Sequence, residues 1–192
     1  MNKIVFLLST CSTLLLCSNN LKTADLQKKC DNNNLEACTE LGFLYSEGLK
    51  INQDDKKAIE LLTKACNGNY APGCGELGVI YEGGFGAKKD IKKAISLYQK
   101  ACDNGHLKSC NSLGTMYATG SGTPKNYDLA KDIFVKSCDK GSAMGCFSMA
   151  TLYHNAQGFK NDMGLAMQYY KKACDLKDDI ACMQYQNLKE IK

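Results

Sequence analysis

Ten of the twelve cysteines in this chain fall on a single lattice. They form the pairs Cys30/Cys38, Cys66/Cys74, Cys102/Cys110, Cys138/Cys146 and Cys174/Cys182, each spaced C-x7-C and each 36 residues after the last, with no insertion. A fixed period of this length marks a stacked repeat array, in which every unit touches mainly its neighbours. Such a pattern constrains architecture closely and the identity of a ligand hardly at all.

The first residues read as an export signal over residues 1–20. Lys3 gives a positive start, an apolar run follows from Ile4 to Leu16, and Ser18, Asn19 and Asn20 end it. The run is too short to span a bilayer and has the layout of a signal peptide. Cys11 and Cys17 lie in this segment, outside the periodic set; lipidation of either would make the chain an anchored adaptor of the cell envelope. Secretion or periplasmic residence is the expectation. In an oxidising compartment, evenly spaced cysteines read as a disulfide framework. Metal is the competing reading, but zinc sites favour C-x2-C to C-x4-C spacing with further ligands nearby. Only His106 and His154 are available as imidazoles. Neither a metal nor a cofactor is expected.

The net charge of +4 is mild, and all the basic residues are lysines. The absence of arginine argues against nucleic acid, where its bidentate fork is so often used.

Aligning the units exposes two helices per period. AIELLTKAC (Ala58–Cys66), AISLYQKAC (Ala94–Cys102), AKDIFVKSC (Ala130–Cys138) and AMQYYKKAC (Ala166–Cys174) form one set. Apolar residues at Ile59, Leu62 and Ala65 place a single buried stripe on it. Asp54 or Asp55, Asp90, Asp128 and Asp162 stand at the starts of these helices, where a carboxylate suits the N-terminus. The other set follows the second cysteine of each pair. Its signature is Cys38-x-x-Leu41-Gly42-x-x-Tyr45, repeated through Leu77-Gly78-x-x-Tyr81, Leu113-Gly114-x-x-Tyr117 and Met149-Ala150-x-x-Tyr153. The small residue beside the Leu or Met needs a packing reason, since glycine costs about 1 kcal/mol inside a helix. The tyrosines are expected in the core. Gly48, Gly83/Gly84, Gly120 and Gly158 are expected to stop each helix.

The fold class that follows is all-α: a right-handed α/α superhelical solenoid of antiparallel helix pairs. The expected organisation is one array over residues 21–192, in hairpins 22–57, 58–93, 94–129, 130–165 and 166–192. Each cysteine pair spans a tight interhelix turn such as Asp103-Asn104-Gly105, short enough to bring the two residues within bonding reach.

The Leu-Gly-x-x-Tyr signature, followed by Asp-x-x-Lys-Ala and the Lys-Ala-Cys ending, resembles the Sel-one-like repeat, a relative of the tetratricopeptide repeat. With cysteine in the first alanine slot and in that ending, it resembles the Helicobacter cysteine-rich protein family over about residues 22–192. The resemblance implies a secreted protein of paired helices with one disulfide per repeat. It also implies two functions: a scaffold binding peptides along a concave face, or a weak β-lactamase acting on penicillin- or cephalosporin-type amides.

The residues themselves supply no recognisable serine or metal active site for such hydrolysis. Ser137-Cys138-Asp139-Lys140 matches S-x-x-K, but it lacks the companion S-D-N and K-T-G elements. Whether the chain is an enzyme is left open, and no catalytic residue is assigned. By analogy with tetratricopeptide arrays, the first helix of each unit lines the concave side. The candidate groove is then Glu36, Thr39, Phe43, Lys108, Asn111, Thr115, Phe147, Thr151 and His154, with Ser46, Pro72, Gly75, Val79, Glu82, Ala118 and Met144 on the same face. These positions vary between units while the Leu, Gly and Tyr slots repeat. Variable residues on a common face can specify a partner. The first-choice function is a secreted, disulfide-stapled protein holding a peptide, protein or cell-wall-like ligand there. A monomer without a transmembrane helix in the mature chain is expected.

Overall fold

The computed structural model describes residues 22–49, 51–158 and 160–190. The expected signal segment, with Cys11 and Cys17, lies outside the described residues. Among these, ten helices and no strand occur. Helix α1 covers residues 22–31, followed by α2 (Leu35–Glu47), α3 (Asp55–Asn67), α4 (Ala71–Gly83) and α5 (Ile91–Asp103). Then come α6 (Leu107–Thr119), α7 (Tyr127–Asp139), α8 (Ala143–His154), α9 (Met163–Asp175) and α10 (Asp179–Glu190). The helices fall into two compact units, Met1–Asp90 with α1–α4 and Ile91–Lys192 with α5–α10.

Two kinds of turn alternate, and each recurs with the period. The turn that precedes each even-numbered helix is a Schellman-type reversal. Asn33, Asn69, Gly105, Gly141 and Lys177 occupy the left-handed region, at φ 64°, 63°, 89°, 88° and 71°. The next residue donates its N–H back to the helix: Tyr70 to Ala65 O, His106 to Ala101 O and Ser142 to Ser137 O, each at 3.0 Å. These are the turns that the disulfides span. The other turn closes through the repeated tyrosine, whose carbonyl accepts from Asp54, Asp90, Asn126 and Asp162 at 3.1, 2.8, 2.8 and 3.4 Å. Asp54 and Asp162 cap α3 and α9, accepting from Lys57 N and Leu165 N. For α7 the cap is Asn126, accepting from Leu129 N, while Asp128 sits in the first turn.

The buried stripe of the odd-numbered helices is one residue away from where Ile59 suggested. Ala58, Leu62 and Ala65 are buried, with Ala94, Tyr98 and Ala101, then Ala130, Phe134 and Ser137, then Ala166, Tyr170 and Ala173 in register. Ile59 is only half-buried. The spacing is i, i+4, i+7, the face of a helix that packs on a neighbour. The large middle residue explains the small slot. A methyl group at Gly42 would sit 2.9 Å from Leu62 Cγ, and one at Gly114 would sit 2.5 Å from Phe134 Cε1. Glycine thus lets α2 and α6 approach a bulky side chain on the following helix. The tyrosines of the signature are half-buried rather than in the core. Their rings lie at the margin, as in the bond from Lys57 Nζ to the Tyr45 hydroxyl at 2.9 Å.

Five disulfides join Cys30–Cys38, Cys66–Cys74, Cys102–Cys110, Cys138–Cys146 and Cys174–Cys182, with Cα atoms 4.7, 4.4, 4.6, 4.6 and 4.5 Å apart. By the chain-entropy relation each contributes about 2.5 kcal/mol. Five disulfides indicate an oxidising, extracytoplasmic environment. No helix among the described residues is long and apolar enough to cross a membrane.

Gly158 does not stop α8. That helix ends at His154 with Asn155 as its C-cap, and Ala156 takes the left-handed slot at φ 52° that Gly48, Gly84 and Gly120 fill elsewhere. An alanine there stores strain that glycine would release. Ala156→Gly is expected to stabilise the protein by about 0.5–1 kcal/mol despite glycine's larger unfolded-state entropy, read as a rise in thermal midpoint. Conversely, Gly114→Val drives a branched side chain into Phe134 and is expected to cost about 2–3 kcal/mol, measured by denaturant titration of the oxidised protein.

Candidate ligand-binding site

Within each unit one pair of even-numbered helices touches: α2 lies directly on α4, and α6 on α8. The outward faces of these two pairs carry the candidate groove.

Between α6 and α8 lies a hollow of about 200 Å3. Thr115, Ala118 and Thr119 line it from α6, Phe147, Ser148 and Thr151 from α8, and Phe134 forms part of its lining from below. Three of the candidate groove residues, Thr115, Phe147 and Thr151, are thus brought together. Phe147 is held edge-on against Tyr170, with ring centroids 5.5 Å apart. The Thr151 hydroxyl donates to Phe147 O at 3.0 Å, satisfying itself on its own helix. Asn111 Oδ1 accepts from the Ser148 hydroxyl at 2.9 Å, a bond that ties α6 to α8. Lys108 is exposed one turn away.

His154 is positioned by Tyr170 rather than by a carboxylate. Its Nδ1 lies 3.2 Å from the Tyr170 hydroxyl, and the two rings meet edge-on. Burial pushes the Tyr170 phenol above its ordinary value, while a hydrogen bond with Thr151 acts in the opposite sense. The phenol stays protonated at neutral pH and can donate to Nδ1. The contact holds the imidazole ring of α8 against α9. His106 stands at the N-cap position of α6 without a side-chain cap bond, its Nδ1 2.8 Å from the Ser109 hydroxyl.

In the first unit Glu36 and Phe43 stand exposed on α2, Phe43 at 40%. Thr39 departs from the expected groove. It is 8% exposed, its hydroxyl donates to Leu35 O at 2.9 Å, and it lies against Gly73 of α4. Its side chain faces the neighbouring helix and serves packing instead of recognition.

A second hollow, of about 270 Å3, lies between α2 and α4. Ser46 and Glu47, then Glu76, Val79 and Ile80, line it over Leu62, and Phe85 walls it from the following loop. Register by register it matches the hollow of the other unit: Ser46 with Ala118, Glu47 with Thr119, Glu76 with Ser148, Val79 with Thr151 and Phe85 with Gln157. Sequence reasoning reached Ser46, Val79 and Ala118. It missed Glu47, Glu76, Thr119 and Ser148, which lie one position along from the expected stripe, and the loop residues Phe85 and Gln157. The apolar Phe85 in the glycine-rich Gly83–Gly86 loop was the available signal.

Ser137 and Lys140 of the S-x-x-K motif both border a hollow of about 290 Å3 between α5 and α7, but the serine side chain is buried. Ser137 is 1% exposed, and its hydroxyl points at Gly145 of α8, where an added methyl would meet it at 2.9 Å. Among the described residues it has no hydrogen-bond partner, and no cluster of His, Cys, Asp and Glu suited to a metal ion occurs.

A disulfide-stapled α/α repeat protein with matching hollows between α2 and α4 and between α6 and α8 is therefore the class these features define. The Sel1 repeat model matches residues 35–70, 71–106, 107–142 and 143–178, and the chain belongs to the Sel1 repeat family. That frame starts at Leu35, whereas the hairpins read from the sequence start at residue 22; a periodic chain has no unique phase. In the family's frame three of the bridges join one matched repeat to the next, while Cys30–Cys38 and Cys174–Cys182 tie the first and last matched repeats to the flanking helices. Among solved structures, the chain is similar to Helicobacter pylori cysteine rich protein B, with 36% identity over 65% of this chain and 94% of that one, at a TM-score of 0.52. It is also similar to a protective antigen of uropathogenic Escherichia coli with an SLR fold, at 27% identity and TM-score 0.78, covering 84% of this chain and 35% of the antigen. A Sel1 repeat protein from Oxalobacter formigenes matches at 27% identity and TM-score 0.75, over 80% of this chain and 62% of that one. This chain thus spans only part of the length of those last two. No curated protein matches in sequence. The fold is an α/α solenoid of the Sel1 type, with one disulfide per repeat.

Removing the orphaned hydroxyl of Ser137 should be harmless or better. Ser137→Ala is expected to raise stability by up to about 1 kcal/mol, since a buried unsatisfied polar group is a cost. The measurement is the denaturation midpoint of the oxidised variant.

Proposed function

We propose that this protein is an extracytoplasmic scaffold, secreted or periplasmic, that binds a polypeptide on the faces of its even-numbered helices. The observation that carries the reading is the recurrence of one hollow in the same register of both units, with a conserved shape of construction and a varied lining. Packing accounts for the floor residues Leu62 and Phe134. It does not account for the differences among Glu47, Thr119, Glu76 and Ser148, which are the kind that select a ligand. Membership of a repeat family built for protein interaction supports the same conclusion. Nothing in these hollows favours β-lactam hydrolysis: the Ser137 side chain is buried at the edge of a separate hollow between α5 and α7, and His106 and His154 are hydrogen-bonded to hydroxyls.

The test is selection of a random dodecapeptide library on the immobilised, oxidised protein, followed by affinity measurement with a selected synthetic peptide. Enrichment of related sequences is expected. Thr115→Arg, an exposed substitution that fills the hollow of the second unit, is expected to weaken peptides seated there at least tenfold, about 1.4 kcal/mol, without lowering the thermal midpoint. A library that yields no enriched sequence would overturn the reading.

A further inference from the structure

The two hollows share their construction but not their chemistry. Where the second unit places the hydroxyls of Thr119 and Ser148, the first places the carboxylates of Glu47 and Glu76. Further acids share the two helices, of which Glu40 is paired with Lys22 of α1 at 2.8 Å. Helix α2 carries Glu36, Glu40 and Glu47, α4 carries Glu76 and Glu82, and neither helix contains a basic residue. This stands out in a chain whose net charge is +4.

The aromatic wall is also particular to the first unit. Gly83 occupies the slot held by Glu47, Thr119 and Asn155 in the sister repeats. A Cβ at that position would collide with the ring of Phe85. The missing side chain is what lets the ring lie beside the hollow, 57% exposed. Carboxylates at the rim, an aliphatic floor of Leu62, Val79 and Ile80, and an aromatic face at one side together suit a long side chain with an apolar stem and a cationic head.

Resting on the peptide-binding reading above, we propose that the hollow between α2 and α4 takes a lysine or arginine side chain of the bound polypeptide. The stem lies along Val79, Ile80 and Phe85, and the charge meets Glu47 and Glu76. The matching hollow of the second unit, lined by hydroxyls, takes an uncharged side chain. Charge on the face of α2 and α4 also steers cationic segments toward it.

The experiment repeats the dodecapeptide selection on the oxidised full chain and on the double variant Glu47→Gln/Glu76→Gln. The wild type is expected to enrich lysine or arginine at one fixed position, and the double variant to lose that enrichment. A synthetic selected peptide should bind the double variant at least tenfold more weakly, and replacing its enriched basic residue by norleucine should weaken wild-type binding to a similar degree. The norleucine peptide reads the contact without altering the protein, so it decides the matter even if the double variant folds poorly. Thr119→Glu/Ser148→Glu is expected to add a second enriched basic position. Selected peptides without a basic preference, or a norleucine peptide that binds wild type equally well, would overturn the inference and leave the scaffold reading standing. A wild type that enriches nothing removes the scaffold reading itself.

Discussion

The structure depends on one tight turn, made five times. A left-handed residue reverses the chain after each odd-numbered helix, and a disulfide with Cα atoms less than 5 Å apart locks the reversal. A repeat array has no central core to gather its elements, so its order comes from nearest-neighbour terms. Here the neighbour term is covalent. The turn fixes the angle at which α3 hands over to α4, or α7 to α8, and with it the spacing of the even-numbered helices. The hollows exist because that spacing leaves a gap over Leu62 and over Phe134.

Much of this was legible in the sequence because periodicity multiplies a weak signal. One glycine beside one leucine says little; Gly42, Gly78, Gly114 and Ala150 in one register say that a neighbouring helix comes close. The same comparison located the turns, the caps at Asp54 and Asp162, and the outward faces. What it misjudged was rotation by a single position. The buried stripe runs through Ala58 rather than Ile59, since alanine carries little hydropathic weight even when it is the point of closest approach. Thr39 fell on the wrong side of its helix for the same reason. A stripe a hundred degrees wide has no sharp edge in a sequence.

The site was less legible than the fold because its walls come from segments far apart in the repeat. Phe85 and Gln157 belong to the loops after α4 and α8. Their reach into the hollows depends on loop geometry that helical periodicity does not encode. The Gly83–Phe85 pairing becomes meaningful only when the ring is seen to fill the place of an absent side chain. Ser137 is the opposite case. Its motif was visible and its burial was not.

The short span of each bridge bears on how the molecule matures. Partners lie eight residues apart in every case. Small loops close fastest and at the least entropic expense. A chain emerging N-terminus first meets the correct thiol for Cys30 long before Cys66 arrives, and so on down the series. Native pairing is then simply pairing in order of appearance, so oxidation can advance repeat by repeat, with little call for reshuffling once synthesis is done.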